Sequence, residues 1–360
     1  MIARWLIAAL LLAACGDAGP GTATVASHTP GPVADTWLSH GSTWRQIAGP
    51  HPSPRYAAAM AYDAARRDFV LFGGQFGGAS YDETWTFDGK KWTRRDPAHK
   101  PRPRRDAAMA YEPSRQIMVL YGGLVPDSAE GSEASDTWTW DGTDWTEVSN
   151  DNSGPRIRGG ARMVSAGDHV VLFGGHIFNV RYFGDAWTLN GSNWIRVDHD
   201  PTPAGRGDAA VAWNPDDSSV FVFGGLGIRA NAGPGNLGIA LQDAWSLKAG
   251  TWKGLKTAGP PATYDANSIW DASSHSVVLL FGMVCPNPVA DAWSWNGSGW
   301  KRSSLPVPAR WSAAVAQDSS GDVLASAGTT RAAASSARDE QRVPGRLDKL
   351  RCELRSHPAS

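Results

Sequence analysis

Short apolar runs recur along the chain and stop each time at paired glycines: "RDFVLFGG" (67–74), "QIMVLYGG" (116–123), "DHVVLFGG" (168–175) and "SSVFVFGG" (218–225). A run of this length closed by a turn signal predicts a buried strand. Small apolar stretches precede them, as in "AAAMAYD" (57–63). Alanine-rich segments suit a strand squeezed among its own copies near an axis. Downstream, "DTWTWDG" (136–142) alternates, which places Trp138 and Trp140 on one face. Asp-Gly and Asn-Gly in "FDGKKW", "WDGTDW", "LNGSNW" and "WNGSGW" mark tight hairpins. Trp145 therefore returns on the partner strand, within reach of a cross-strand aromatic contact. Each repeat predicts four short antiparallel strands, one propeller blade.

Tryptophan fixes the period. Six pairs stand seven residues apart: Trp37/Trp44, Trp85/Trp92, Trp138/Trp145, Trp187/Trp194, Trp245/Trp252 and Trp293/Trp300. Their first members recur at intervals of 48, 53, 49, 58 and 48 residues, the range of propellers and arrays. A buried indole hides roughly 150–250 Å², an upper bound of about 4–6 kcal/mol. All twelve are expected to wedge between blades as core. The glycine half-repeat has a fifth copy, "ATYDANSIWDASSHSVVLLFGM", with Thr263 where an arginine is expected and Met283 where the second glycine is expected. A sixth begins at Arg310 and decays after Val323.

The double glycine, the tryptophan spacing and the period near 50 resemble the kelch repeat family, over Asp35 to Thr329. The resemblance implies a β-propeller, and counting the repeats makes it an all-β, six-bladed kelch-type β-propeller of four-stranded antiparallel blades. The chain opens on a tryptophan half-repeat (35–44) and its repeats end on a glycine half-repeat (310–329). Joined, these make a sixth blade closed by strands from both ends.

Two charged sets recur at blade period: Arg55, Arg104, Arg156, Arg206 and Arg310, and Asp35, Asp82, Asp136, Asp185, Asp243 and Asp291. A ring of arginines around the axis would hold an anion. Buried arginine instead prefers a carboxylate partner, so each is expected to meet a repeat aspartate across a blade boundary.

Function in such a fold sits on loops. Those between each glycine pair and the next Asp-x-Trp vary most and should emerge on one face. They offer Tyr81, Asp127, Glu130, His176, Phe178, Arg181, Tyr182, Arg229, Asn231 and Asn236 as candidates for binding a protein, peptide or glycan. Nothing matches the copper, tyrosine and histidine set of the kelch-like galactose oxidases. The sialic acid mutarotases of similar fold ask only for polar pocket residues and stay an alternative. The histidines show no ligand spacing, and no catalytic residue, metal site or cofactor is expected.

The ends read differently from the repeats. "MIARWLIAALLLAAC" has Arg4, an apolar run too short to span a membrane, and Cys15. It resembles a bacterial lipobox, with residues 1–14 as signal peptide and lipid on Cys15. Residues 15–34 read as a flexible tether, 35–330 as the propeller and 331–360 as a disordered or diverged tail. The reading places the protein at the bacterial cell envelope, on the exported side. Cys285 and Cys352 remain to pair or not. A net charge of −1 supplies no footprint for nucleic acid.

Overall fold

The structure, a computed structural model, describes residues 32–126, 132–148, 154–178, 180–227, 238–256, 258–285 and 287–330. These form six four-stranded antiparallel sheets. In the second blade the strands run outward from the axis as Ala108–Glu112, Ile117–Tyr121, Thr137–Trp140 and Trp145–Val148. The inner strands Ala59–Asp63, Ala108–Glu112, Arg162–Ala166, Ala210–Asn214, Asn267–Asp271 and Ala314–Gln317 abut in that order, and the last touches the first. The ring is closed.

Closure joins the two halves. Thr36–His40 pairs with Val323–Ser326 in the register Thr36↔Ser326, Trp37↔Ala325, Leu38↔Leu324. The Thr36 and Ser326 hydroxyls meet at 3.1 Å. The small residues of "VLAS" do not weaken docking, since Leu324 and Ala325 are 0% exposed.

The glycine pairs stitch neighbouring blades. The second glycine of each blade donates its N–H to the carbonyl five residues before the next blade's inner-strand core residue: Gly74 to Arg104, Gly123 to Arg158, Gly175 to Arg206, Gly225 to Thr263, Gly282 to Arg310 and Gly328 to Arg55. The first position adopts positive φ in all six blades, even where it is Phe281 (61°) or Ala327 (63°). The fifth copy therefore keeps its second glycine, as Gly282. The residue that departs from the repeat is Phe281 at the first position, not Met283 at the second, because the Gly282 N–H makes the inter-blade bond.

The tryptophans fall into two classes rather than one. The second of a pair crosses to the preceding blade. Trp92 donates to Thr36 (3.0 Å), Trp145 to Thr84 (2.8 Å), Trp194 to Thr137 (2.9 Å) and Trp252 to Asp198 (3.0 Å). Trp145 also packs on Trp140 across the hairpin, ring centroids 5.4 Å apart. Trp44 and Trp300, the remaining second members, are half-buried. The first members (Trp37, Trp85, Trp138, Trp187, Trp245 and Trp293) are only half-buried. Five of them donate locally to the carboxylate two residues before, as Trp138 does to Asp136 at 2.8 Å. The wedge is thus built from second members, since only these lie on the outer strand that faces the adjoining sheet.

Candidate functional site

Beneath the loop face lies a belt of buried guanidinium groups. Arg55 meets Glu83 at 2.7 Å, and Arg104 meets both oxygens of Asp136 at 2.7 Å. Arg158 meets Asp185 at 2.7 and 3.2 Å, Arg206 meets Asp243 at 2.7 and 2.8 Å, and Arg310 meets Asp35 at 3.0 Å. Each also donates to the carbonyl at the first glycine position of its own blade. Arginine is fitted to this because its planar fork serves a carboxylate and a carbonyl together. Burial pushes the Asp136 carboxyl up, but the hydrogen bonds and charge of Arg104, helped by Trp138, outweigh it and hold the pKa below the ordinary value. Asp185 and Asp243 are held low in the same way.

Four expectations are corrected here. The pairs lie within one repeat, from the segment leading into the inner strand to the residue just before the third strand, and do not reach the acid of a neighbouring blade. Arg156 is exposed, and Arg158 takes its place. Glu83 replaces Asp82, which meets Lys100 at 2.8 Å. Asp291 faces the exposed Arg302 at 2.8 Å, because its blade carries Thr263 in the arginine position. One rule finds all of these in the sequence. The arginine stands five residues before the inner-strand core position (Met60, Met109, Met163, Val211, Val315), and the acid two before the first tryptophan.

Above the belt, two residues on, Ala57, Asp106, Gly160, Asp208, Asp265 and Ser312 encircle the axis, all with φ between 49° and 63°. Non-glycine residues rarely adopt this conformation, at a cost of about 1–3 kcal/mol each. A backbone girdle offsets it: Asp106 donates to Ala57, Gly160 to Asp106, Asp208 to Gly160, Asp265 to Asp208, and Ala57 to Ser312, at 2.8–3.0 Å. The girdle brings three carboxylates to the axis. Arg105 pairs with Asp106. Arg162 reaches from the third blade to Asp265 at 3.0 Å and Asp208 at 3.8 Å, forming a plug. The Ser312 hydroxyl donates to the other Asp265 oxygen at 2.9 Å. Burial, then the Asp208 charge, push the Asp265 pKa up to about 7, against the pull of Arg162. Both its oxygens are thus engaged within the plug, by Arg162 and by Ser312.

The loops surround this plug as small hairpins. His176 is 8% exposed, pairs with Tyr182 and packs on its ring at 5.4 Å. Gly160 and Gly207 make room for it, since a Cβ on Gly160 would lie 2.6 Å from Asp208 Oδ1 and 2.8 Å from His176 Cε1. Glu133 accepts the Phe178 N–H at 2.7 Å. Arg181 is exposed beside the Phe183 ring. The Tyr182 hydroxyl abuts Gly238 of the next blade. Tyr182 and Trp311, half-buried, cover the buried Leu226, Tyr264 and Met283, while the first two blades bring the polar Tyr56, Gln75, Arg105 and Asp106. Tyr81 instead covers the Arg55 guanidinium, 4.3 Å from its ring centre, a structural use. Asp127, Glu130, Arg229, Asn231 and Asn236 lie outside the described residues, as do Cys15 and Cys352. Cys285 is disulfide-bonded.

The sequence reading missed Asp106, Asp208, Asp265, Arg105 and Arg162. The signal for the three aspartates was the third residue before each core position, which is polar in four of the six blades; the two arginines carry no repeat signal. Among the described residues no group of three or more His, Cys, Asp or Glu side chains is placed to hold a metal ion. A family model described as the KLHDC2/KLHL20/DRC7 Kelch-repeats domain matches residues 37–195.

Proposed function

We propose that this chain, whose residues 37–195 match the Kelch-repeats family model, is a lipid-anchored interaction scaffold of the bacterial cell envelope. It engages a protein, peptide or glycan through the loop face. One observation carries the reading. The framework repeats from blade to blade, whereas the hairpins over it do not, so the face presents the half-buried rings of Tyr182 and Trp311 on one side of the Arg162 plug and the polar Tyr56, Gln75, Arg105 and Asp106 on the other. Such a surface fits a partner that presents an apolar segment flanked by charge. Two experiments test it. Affinity capture from envelope extracts with the full chain should yield a partner that is lost on Tyr182→Ala or Trp311→Ala and kept on Arg115→Ala at the opposite face. Cys15→Ala should release the protein from the membrane fraction. Capture unaffected by the loop-face changes would refute the surface, and membrane retention of Cys15→Ala would refute the anchor.

A further inference from the structure

The far end of the axis is built differently. There the fourth residue of each inner strand lines the channel, and Tyr62, Tyr111, Ser165, Trp213, Trp270 and Gln317 collar a cavity of about 290 Å³. No charged residue lines it. Two residues deeper, on the same face of each strand, Met60, Met109, Met163, Val211 and Val315 form an apolar layer, and the fifth blade holds Ser268 in it. The Ser268 hydroxyl is buried with no hydrogen-bond partner. A buried hydroxyl left unmatched is unfavourable, and valine, already present at 211 and 315, would fill the same layer without it. Further in, Arg162 and its carboxylates stop the channel, so a ligand enters from the collar.

Three properties restrict that ligand. A cation would be drawn to the ring faces, but no carboxylate in the wall would offset its lost hydration. A wholly apolar guest would leave Ser268 unmatched. The volume sits at the lower end of ligand pockets, about 300–1,000 Å³, which suits one ring. A saturated ring with C–H faces and hydroxyls at its edge meets all three conditions. Its C–H bonds rest on the electron-rich aromatic faces, and its leading hydroxyl meets Ser268 once that side chain turns from its sealed rotamer toward the channel. We propose that this collar binds an uncharged pyranose, either free or as the terminal ring of a glycan. The site lies at the opposite end of the axis from the loop face and stands or falls separately from the scaffold reading.

Saturation-transfer NMR on the full chain tests it, with methyl β-D-glucopyranoside, methyl β-D-galactopyranoside and N-acetyl-D-glucosamine as probes. At least one should receive transfer, strongest at ring C–H protons. Trp270→Ala should weaken that sugar by about tenfold or more. Ser268→Val should weaken it about tenfold while raising the Tm, because it removes an unmatched hydroxyl. Tyr182→Ala on the loop face should leave it unchanged. Tighter binding of the corresponding β-disaccharide assigns a glycan terminus, and equal binding assigns the free sugar. The proposal is overturned if none of the three sugars receives transfer, if transfer survives both Trp270→Ala and Ser268→Val, or if tetramethylammonium occupies the collar while the sugars do not.

Discussion

Removing Asp136 should harm the protein more than removing its partner. Arg104 is 0% exposed, whereas the Asp136 side chain is 21% exposed. Asp136→Ala leaves a guanidinium sealed under the sheet with two carbonyls for company, those of Gly122 and Arg102. Stripping the counter-charge from a buried ion costs about 3–5 kcal/mol. Arg104→Thr strands a carboxylate that water reaches and that keeps the Trp138 N–H at 2.8 Å. Its loss is nearer that of a charged hydrogen bond, about 1.5–3 kcal/mol. The double change Arg104→Thr/Asp136→Ala should cost no more than Asp136→Ala alone. The fifth blade already lives with Thr263 in the arginine position. Urea unfolding followed by tryptophan fluorescence, compared at constant slope, measures all three. An Arg104→Thr penalty exceeding that of Asp136→Ala, or additive single changes, would refute the account of the belt.

Three further outcomes are expected. Asp265, with its folded pKa near 7 against an ordinary 3.8, keeps its proton where the unfolded chain releases it; stability should therefore fall as pH rises from about 4 to about 7, then level, and Asp265→Asn should flatten that slope. Asp136, Asp185 and Asp243, held low, act in the opposite sense, losing stability only as pH falls below about 4. Gly122→Ala would bring a Cβ to 2.6 Å from the Arg158 carbonyl and should cost about 2 kcal/mol or more, while Ala327→Gly, relieving φ of 63°, should gain up to about 1 kcal/mol; urea midpoints decide both. Trp194→Ala should cost about 3–5 kcal/mol and the half-buried Trp187→Ala less than half of that, and equal penalties would erase the distinction between the two tryptophan classes.

The propeller was legible because its determinants are local and repeated: apolar runs, glycine pairs, hairpin turns and indoles at a fixed interval. Even the degenerate sixth blade could be inferred, since Leu324 and Ala325 need only fill a sheet that its neighbours define. The third blade is less legible because two arginines compete for one position. "PRIRGG" offers Arg156 to the eye, yet the strand counts back from Met163 to Arg158. Trp187 and its equivalents share the spacing of the buried indoles yet are half-buried, because spacing does not say which strand faces the neighbouring sheet. The axial carboxylates escaped notice for another reason. Asp106, Asp208 and Asp265 are distant in sequence and ordinary in isolation, and they become a cluster only when the disc brings three blades to one line. Tyr62, Tyr111, Trp213 and Trp270 were equally visible as letters and equally silent until the ring closed.

The shared sheet imposes a schedule on the molecule's birth. Thr36 and Ser326 are 290 residues apart, so at about 5–20 residues per second roughly 15–60 s separate their emergence from the ribosome. Throughout that interval the opening hairpin has no mate. A message cut short anywhere before Val323 would leave it unmatched for good, with two sheet borders bare and ready to capture another chain.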